Sequence, residues 1–393
     1  MNPNDVVITG IGIVSSLGLG ADAHWQALSS ARPQPVFDSE RFAPFTVHPL
    51  PEIDWSLQIP KRGDQRQMET WQRLGTYTAG LALEDAGAKE DEALCSSMDM
   101  IVAAGGGERD LEVDQTILDA SLSRDDHDVL LNEKLTTELR PTLFLAQLSN
   151  LLAGNISIVH KVTGSSRTFM GEEGAGIAAI ETAAARIRSG QSTHVLVGAA
   201  FQTEHPDMLL AYELGGFLQR DGWSPLWDRQ GKDGGGIVTG SGAAFLVLES
   251  PEHAQKRGRT PYASISRVVS ERTRRRDENL RQGLSHMVST LTGSEPMMAI
   301  SGASGAHAPT SVEKSVLDQR ENLAVRGFGS LTGHLKEAQF PFAVALAALA
   351  VQKGEAYPAF VEGERSFAGK PSAVLATAIG YSCFEGMGLV TEA

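Results

Sequence analysis

Short apolar runs alternate along this chain with longer stretches of helical spacing. Val6 to Thr9 is a β-branched run closed by Gly10 and Gly12, and after a turn Ala21 to Ala31 carries Trp25 and Leu28 at helical spacing. The order is strand, loop, helix. Leu74 to Ala86 predicts a helix rich in alanine and leucine, and Met100 to Ala104 an apolar strand that runs into Gly105, Gly106 and Gly107. Ile177 to Ile187 predicts a long helix, while His194 to Gly198 and Gly242 to Glu249 read as strands with few polar positions. Continuous apolar strands separated by helices imply a sheet covered on both faces.

The second half repeats the theme. Met297 to Ser301 is an apolar strand ending in glycines, as Val6 to Thr9 is, and a glycine-rich turn precedes the alanine-rich helix Phe342 to Val351. Between the halves, Glu252 to Arg259 and Glu271 to Arg281 are charged and read as helical or looped surface. The junction therefore falls near residues 251 to 265, with the two halves packed as one body.

Composition narrows the function classes. The 393 residues are 41% hydrophobic and 21% charged, the balance of a water-soluble protein. No run approaches the roughly 18 apolar residues of a membrane span, and Met1 to Asp5 lacks the features of a signal peptide, so a cytoplasmic location is expected. Only Cys95 and Cys383 occur, which leaves no disulfide framework and no CxxC pair. Ten histidines have no metal-binding spacing, so neither a metal nor another cofactor is expected. A formal charge of -14 argues against nucleic acid as a partner. Glycine, at 41 residues, is concentrated at strand ends, which points to tight turns and close backbone approach.

Four segments line up in order over nearly the whole chain: VVITGIGIVSSLGLGADAHWQAL, LRPTLFLAQLSNLLAGNISI, GKDGGGIVTGSGAAFLVLE and SLTGHLKEAQ. Each is weak alone; the Gly10–Gly12 pair, for example, lacks the third glycine of a dinucleotide fingerprint. Together they resemble the β-ketoacyl-acyl-carrier-protein synthases of the thiolase superfamily. The resemblance implies an α/β thiolase fold, two similar βαβαβ halves in a five-layered αβαβα arrangement, with halves at 1–250 and 251–393.

It also implies a chemistry that this chain has altered. Condensation needs a thiolate at a helix N-terminus to take the acyl chain from a carrier thioester. The matching stretch is Gly171, Glu172, Glu173, Gly174, Ala175, Gly176, and counting back from Arg188, Ser189 and Gly190 puts Glu173 at the nucleophile position. A carboxylate is a poor thioester nucleophile, but it suits a helix N-terminus by about 0.3–1 kcal/mol. Of the family's two carbonyl-polarising histidines, His334 matches the second, and Gly302 falls where the first belongs. His307, five residues on, reads as a loop or helix-start histidine. The lysine expected five residues before His334 is Gly329, and the phenylalanine gate is degraded to Gly380, Tyr381, Ser382, Cys383, Phe384. Phe169, Met170 and Phe384 are the expected substrate-binding residues. Cys383 reads as an inert thiol.

These losses resemble a chain-length-factor subunit, which pairs with an active synthase and shapes the shared acyl tunnel, although that subclass usually has glutamine where Glu173 stands. The alternatives are a stand-alone 3-oxoacyl-carrier synthase or malonyl-carrier decarboxylase with an atypical site, and an acyl-binding homodimer without turnover. The expected partners are an acyl carrier protein and a second synthase chain, as homodimer or heterodimer, with residues near Arg167 to Met170 at the joining sheet edge. Lys61, Arg62, Arg66, Arg272, Arg274, Arg275 and Arg276 are the cations that could dock an acidic carrier. The product, whether a very long acyl chain, an aryl polyene or a polyketide, depends on tunnel packing and stays open.

Overall fold

The structure, a computed structural model, describes residues 5–141, 143, 147–231 and 234–393. Thr142, Phe144 to Ala146, Lys232 and Asp233, which fall in two of the matched segments, lie outside it. One sheet path runs through Leu323–Gly327, Met297–Ala303, Ala373–Ile379, Glu385–Thr391, Ala263–Glu271, Val7–Ser15, Gly242–Glu249, His194–Phe201, Asp99–Ala103 and Ser166–Phe169. The first five strands belong to the C-terminal part and the last five to the N-terminal part. They meet where Val7 and Ile8 pair with Ser264 and Ala263.

The apolar patterns explain how helices cover this sheet. The Glu172–Arg188 and Gln339–Lys353 helices lie between the two parts and share one core with strand residues of both, among them Ile11, Val197, Ile300 and Val374. Every residue from Gln339 to Val351 is buried, as an all-apolar helix requires. The Thr70–Asp85 and Leu151–His160 helices cover the outer face of the N-terminal strands. Asp277–Leu291 and His307–Asp318 cover that of the C-terminal strands. The result is five layers, αβαβα, the thiolase fold. Among the described residues, no helix is long and apolar enough to cross a membrane.

Three sequence expectations change. Gly10 and Gly12 do not close the first strand, which continues to Ser15. Their role is contact: a Cβ at Gly10 would lie 2.4 Å from the Ala82 carbonyl, and one at Gly12 2.2 Å from that of Thr78, so the Thr70–Asp85 helix rests on bare backbone. Glu271 ends a strand, and the helix after it begins only at Asp277, so Arg272 to Arg276 form a loop. The Ile177–Ile187 helix starts earlier, at Glu172, with both acids in its first turn.

Candidate functional site

The Glu172–Arg188 helix begins after Gly171, whose φ of 132° no side chain favours, and no side chain caps it. Its free N–H groups make a positive terminus, and Glu173 stands there with 1% of its surface exposed. Glu173 Oε1 lies 3.1 Å from His334 Nε2, without hydrogen-bond alignment, and accepts from the Tyr381 N–H at 3.2 Å. Oε2 has no partner. Two glycines of the same turn allow close packing. A Cβ at Gly174 would meet the Phe384 ring at 2.7 Å, and one at Gly176 the Glu337 carbonyl at 2.2 Å.

His334 follows Gly333, where φ is 72°, and is held by its backbone: its N–H donates to the Val238 carbonyl and its carbonyl accepts from the Gly240 N–H. The chain then turns through Lys336, itself left-handed at φ 49°, into the Gln339–Lys353 helix. Lys336 Nζ lies 3.6 Å from both Glu172 Oε1 and Glu337 Oε1. The Tyr212 hydroxyl donates to Glu172 Oε2 at 3.5 Å, and its ring stands edge-on to His334. Outside glycine, four described residues have positive φ, and three of them, Glu172, Lys336 and Phe384, surround this site. Such strain costs about 1–3 kcal/mol per residue and persists where surrounding contacts over-determine it.

The electrostatics are those of three carboxylates around one ammonium. Burial, reinforced by Glu337 and Glu173 and opposed by Lys336, pushes the Glu172 carboxyl up to about 7. Burial alone would lower Lys336, but Glu337 and Glu172 more than offset it and hold the ammonium above its usual range. Burial, with Glu172 and Glu173, pushes the Tyr381 phenol up to about 12, and burial with the same two carboxyl groups and Glu337 also raises Tyr212. Among the described residues, no three His, Cys, Asp or Glu side chains are grouped to hold a metal.

The structure thus brings together Glu173, His334 and Phe384 of the expected residues. Gly302 lies in the Met297–Ala303 strand, where a Cβ would sit 2.5 Å from the Thr377 carbonyl and 3.1 Å from Gln339 Cγ. On this backbone a histidine side chain has no room there. Phe169 is half-buried against the central core, whereas the next residue, Met170, is 68% exposed. His307 opens the His307–Asp318 helix and lines a cavity of about 280 Å³ together with Phe217, Arg275, Arg276 and Tyr381.

Among the expected docking cations, Lys61, Arg62 and Arg66 are exposed on or beside the Arg62–Gln67 helix, and Arg274 and Arg276 are exposed in the loop. Arg272 stacks over the Phe384 ring at 5.0 Å. Arg275 differs. It pairs with the fully buried Glu385 at 2.6 Å and donates to the Gly380 and Phe384 carbonyls, so it fastens the 380–384 loop. Cys95 is buried, its thiol pushed up to about 11 by burial, and Cys383 sits half-buried in the 380–384 loop.

Sequence reading missed Lys336, Glu337 and Tyr212. The available signal was the charged pair Lys336–Glu337 immediately before an otherwise apolar helix; Tyr212 gave none.

With the geometry in view, the relatives are informative. The model for "Beta-ketoacyl synthase, N-terminal domain" matches residues 3–254. The chain belongs to the β-ketoacyl synthase family. It is 28% identical over 274 residues to 3-oxoacyl-[acyl-carrier-protein] synthase 2 of Vibrio cholerae, covering 67% of this chain but 62% of that one. It thus spans less than two thirds of that relative's length. It is 27% identical over 275 residues to the tetracenomycin polyketide synthase ketoacyl synthase beta subunit of Streptomyces glaucescens, covering 67% and 63% of the two chains. Among solved structures, the ishigamide ketosynthase/chain length factor superposes with a TM-score of 0.79 at 20% identity, covering 99% of both chains. At that identity the likeness speaks for the fold.

Proposed function

We propose that this β-ketoacyl synthase homologue is a non-condensing, chain-length-factor-like subunit that works beside an active synthase in fatty-acid or polyketide-type chain building. The observation that carries the reading is the burial of Glu173 against His334, where a condensing enzyme needs a thiolate. A carboxylate there resists acylation, and an acyl anhydride would be open to hydrolysis. The chain's two thiols offer no substitute, since Cys95 is buried in a separate core cluster and Cys383 lies in the gate loop. Gly302, at the other histidine position, adds to the deficit. The likeness to a ketosynthase/chain length factor and to a ketoacyl synthase beta subunit agrees with this role.

Under this reading the two units, residues 1–250 and 251–393, act as one body in the cytoplasm. The Ser166–Phe169 strand ends the sheet path, and its free edge beside exposed Met170 is the proposed joining edge for a second chain, either a copy or an active synthase. Large apolar side chains exposed elsewhere, such as Leu118, Leu122 and Val129 on and beside the Leu111–Ser121 and His127–Thr137 helices, would gain cover in an assembly. An acyl carrier protein would meet Lys61, Arg62 and Arg66, or Arg272, Arg274 and Arg276 near the 280 Å³ cavity. Arg275 leaves that group because its guanidinium is already committed.

A decarboxylase reading is weaker. A malonyl carboxylate would approach Glu172, Glu173 and Glu337 with one lysine among them, and like charges at this range oppose binding. The test is intact-mass spectrometry of the purified chain after incubation with an acyl carrier thioester. No acyl adduct is expected, and an adduct within residues 171–176 would overturn the proposal.

A further inference from the structure

A second, smaller cavity has Lys336 and Glu337 in its wall. It has about 10 Å³ of room for the centre of a water-sized sphere, and Trp71, Glu108 and Gln202 line it with those two residues. Trp71, Glu108 and Gln202 are 4%, 7% and 8% exposed. Each carries a buried atom without a hydrogen-bond partner: Trp71 Nε1, Glu108 Oε1 and Gln202 Oε1. Buried polar atoms are rarely left so, because stripping them of water without replacement costs free energy.

The three atoms specify what would satisfy them. The indole N–H can only donate, and the Gln202 oxygen can only accept. An ammonium cannot accept from the indole, a carbonyl cannot donate to the amide oxygen, and an alkyl group does neither. An O–H oxygen does both, and the space suits one such atom.

We infer that this cavity is a hydroxyl-oxygen site, accepting from Trp71 Nε1 and donating to Gln202 Oε1 or Glu108 Oε1. A water molecule fills it in the unloaded chain, and the terminal hydroxyl of a bound acyl chain replaces that water in the loaded one. The second half rests on the proposed role in shaping an acyl tunnel, since Lys336 and Glu337 form one wall of the cavity and also pair toward Glu172 beside the nucleophile position. An alkyl chain end would leave all three atoms unpaired, so the site selects polar ends.

Two arms test this on the full chain. In the first, a crystal structure that resolves ordered water is expected to show one oxygen within hydrogen-bond distance of Trp71 Nε1 and Gln202 Oε1, and Trp71→Phe is expected to lower the melting midpoint. An empty cavity, together with an unchanged or raised midpoint, would overturn the whole inference, because the variant would then merely delete an unpaired donor. In the second, calorimetry compares ω-hydroxydecanoic acid with decanoic acid. The hydroxy acid is expected to bind about tenfold tighter or better, with the preference lost in Trp71→Phe. Equal binding by the unaltered chain would limit the occupant to water and overturn the chain-end half. Neither arm uses a partner synthase or carrier, so failure here is separate from failure of the subunit role.

Discussion

Glu173 Oε1 and His334 Nε2 lie 3.1 Å apart, the one at the first turn of a central helix and the other on the loop that leads into its neighbour. Both side chains are fully shielded from solvent. On the proposed reading, the pair stands where a condensing relative would bring its thiol and histidine together, with a carboxyl group in place of the thiol.

The acidity of Glu172 gives a stability signature. Its folded carboxyl titrates near 7, above the unfolded value of 4.5, so the folded state holds the proton more tightly than the unfolded one. Its contribution is fully present below about pH 4.5 and is lost as pH rises through 7. Glu172→Gln should remove that loss. Measured by chemical denaturation at pH 5 and pH 8, the variant should gain stability relative to the unaltered chain on going to the higher pH; a difference that stays constant across this window would refute the assignment.

Arg275 separates structure from docking. Among the described residues, removing its guanidinium leaves the Glu385 carboxylate buried with only the Thr273 N–H as partner, strips the Gly380 carbonyl of its donor and leaves the Phe384 carbonyl with the Gly380 N–H. Arg275→Met should therefore cost about 3 kcal/mol or more in unfolding free energy. Arg274→Met and Arg276→Met, at exposed positions, should stay within about 0.5 kcal/mol. Equal effects for all three would return Arg275 to the surface patch.

Much of the fold was legible because the signals for it are local. The apolar strand Gly242–Glu249 was read with its observed bounds, and the helices at Leu74, Ile177 and Phe342 were found, short by a turn at one or both ends. Gly10 and Gly12 were misread as a strand end because their reason is a helix from a distant segment, and no local pattern reports such a contact. The site was half legible. Motif order led to Glu173 and His334, whereas Tyr212, Lys336 and Glu337 reach Glu172 only through folding. The room at Gly302 depends on the neighbouring Thr377 strand, which sequence alignment does not register.

The close approach of the Glu172–Arg188 helix, at Gly176, to the turn that carries Glu337 offers a test of the packing itself. A Cβ there would press on the Glu337 carbonyl at 2.2 Å, and a backbone atom of a fully buried turn has little freedom to yield. Gly176→Ala should destabilise the chain by about 1–3 kcal/mol. It should also weaken the Lys336–Glu337–Glu172 cluster, moving the pH dependence described for Glu172. A neutral effect on both would mean that the two segments are farther apart than described.

The central claim, a subunit that shapes chain building without performing it, is tested most directly by a condensation assay on mixed dimers. The chain is co-expressed with an active β-ketoacyl synthase, the species are separated by size, and each is supplied with acyl and malonyl carrier thioesters. The account predicts no condensation by this chain alone, activity in the mixed dimer, and a product length that shifts when tunnel-facing residues of this chain are enlarged. Full activity with unchanged product length from the partner synthase alone would contradict it, as would condensation by this chain without a partner.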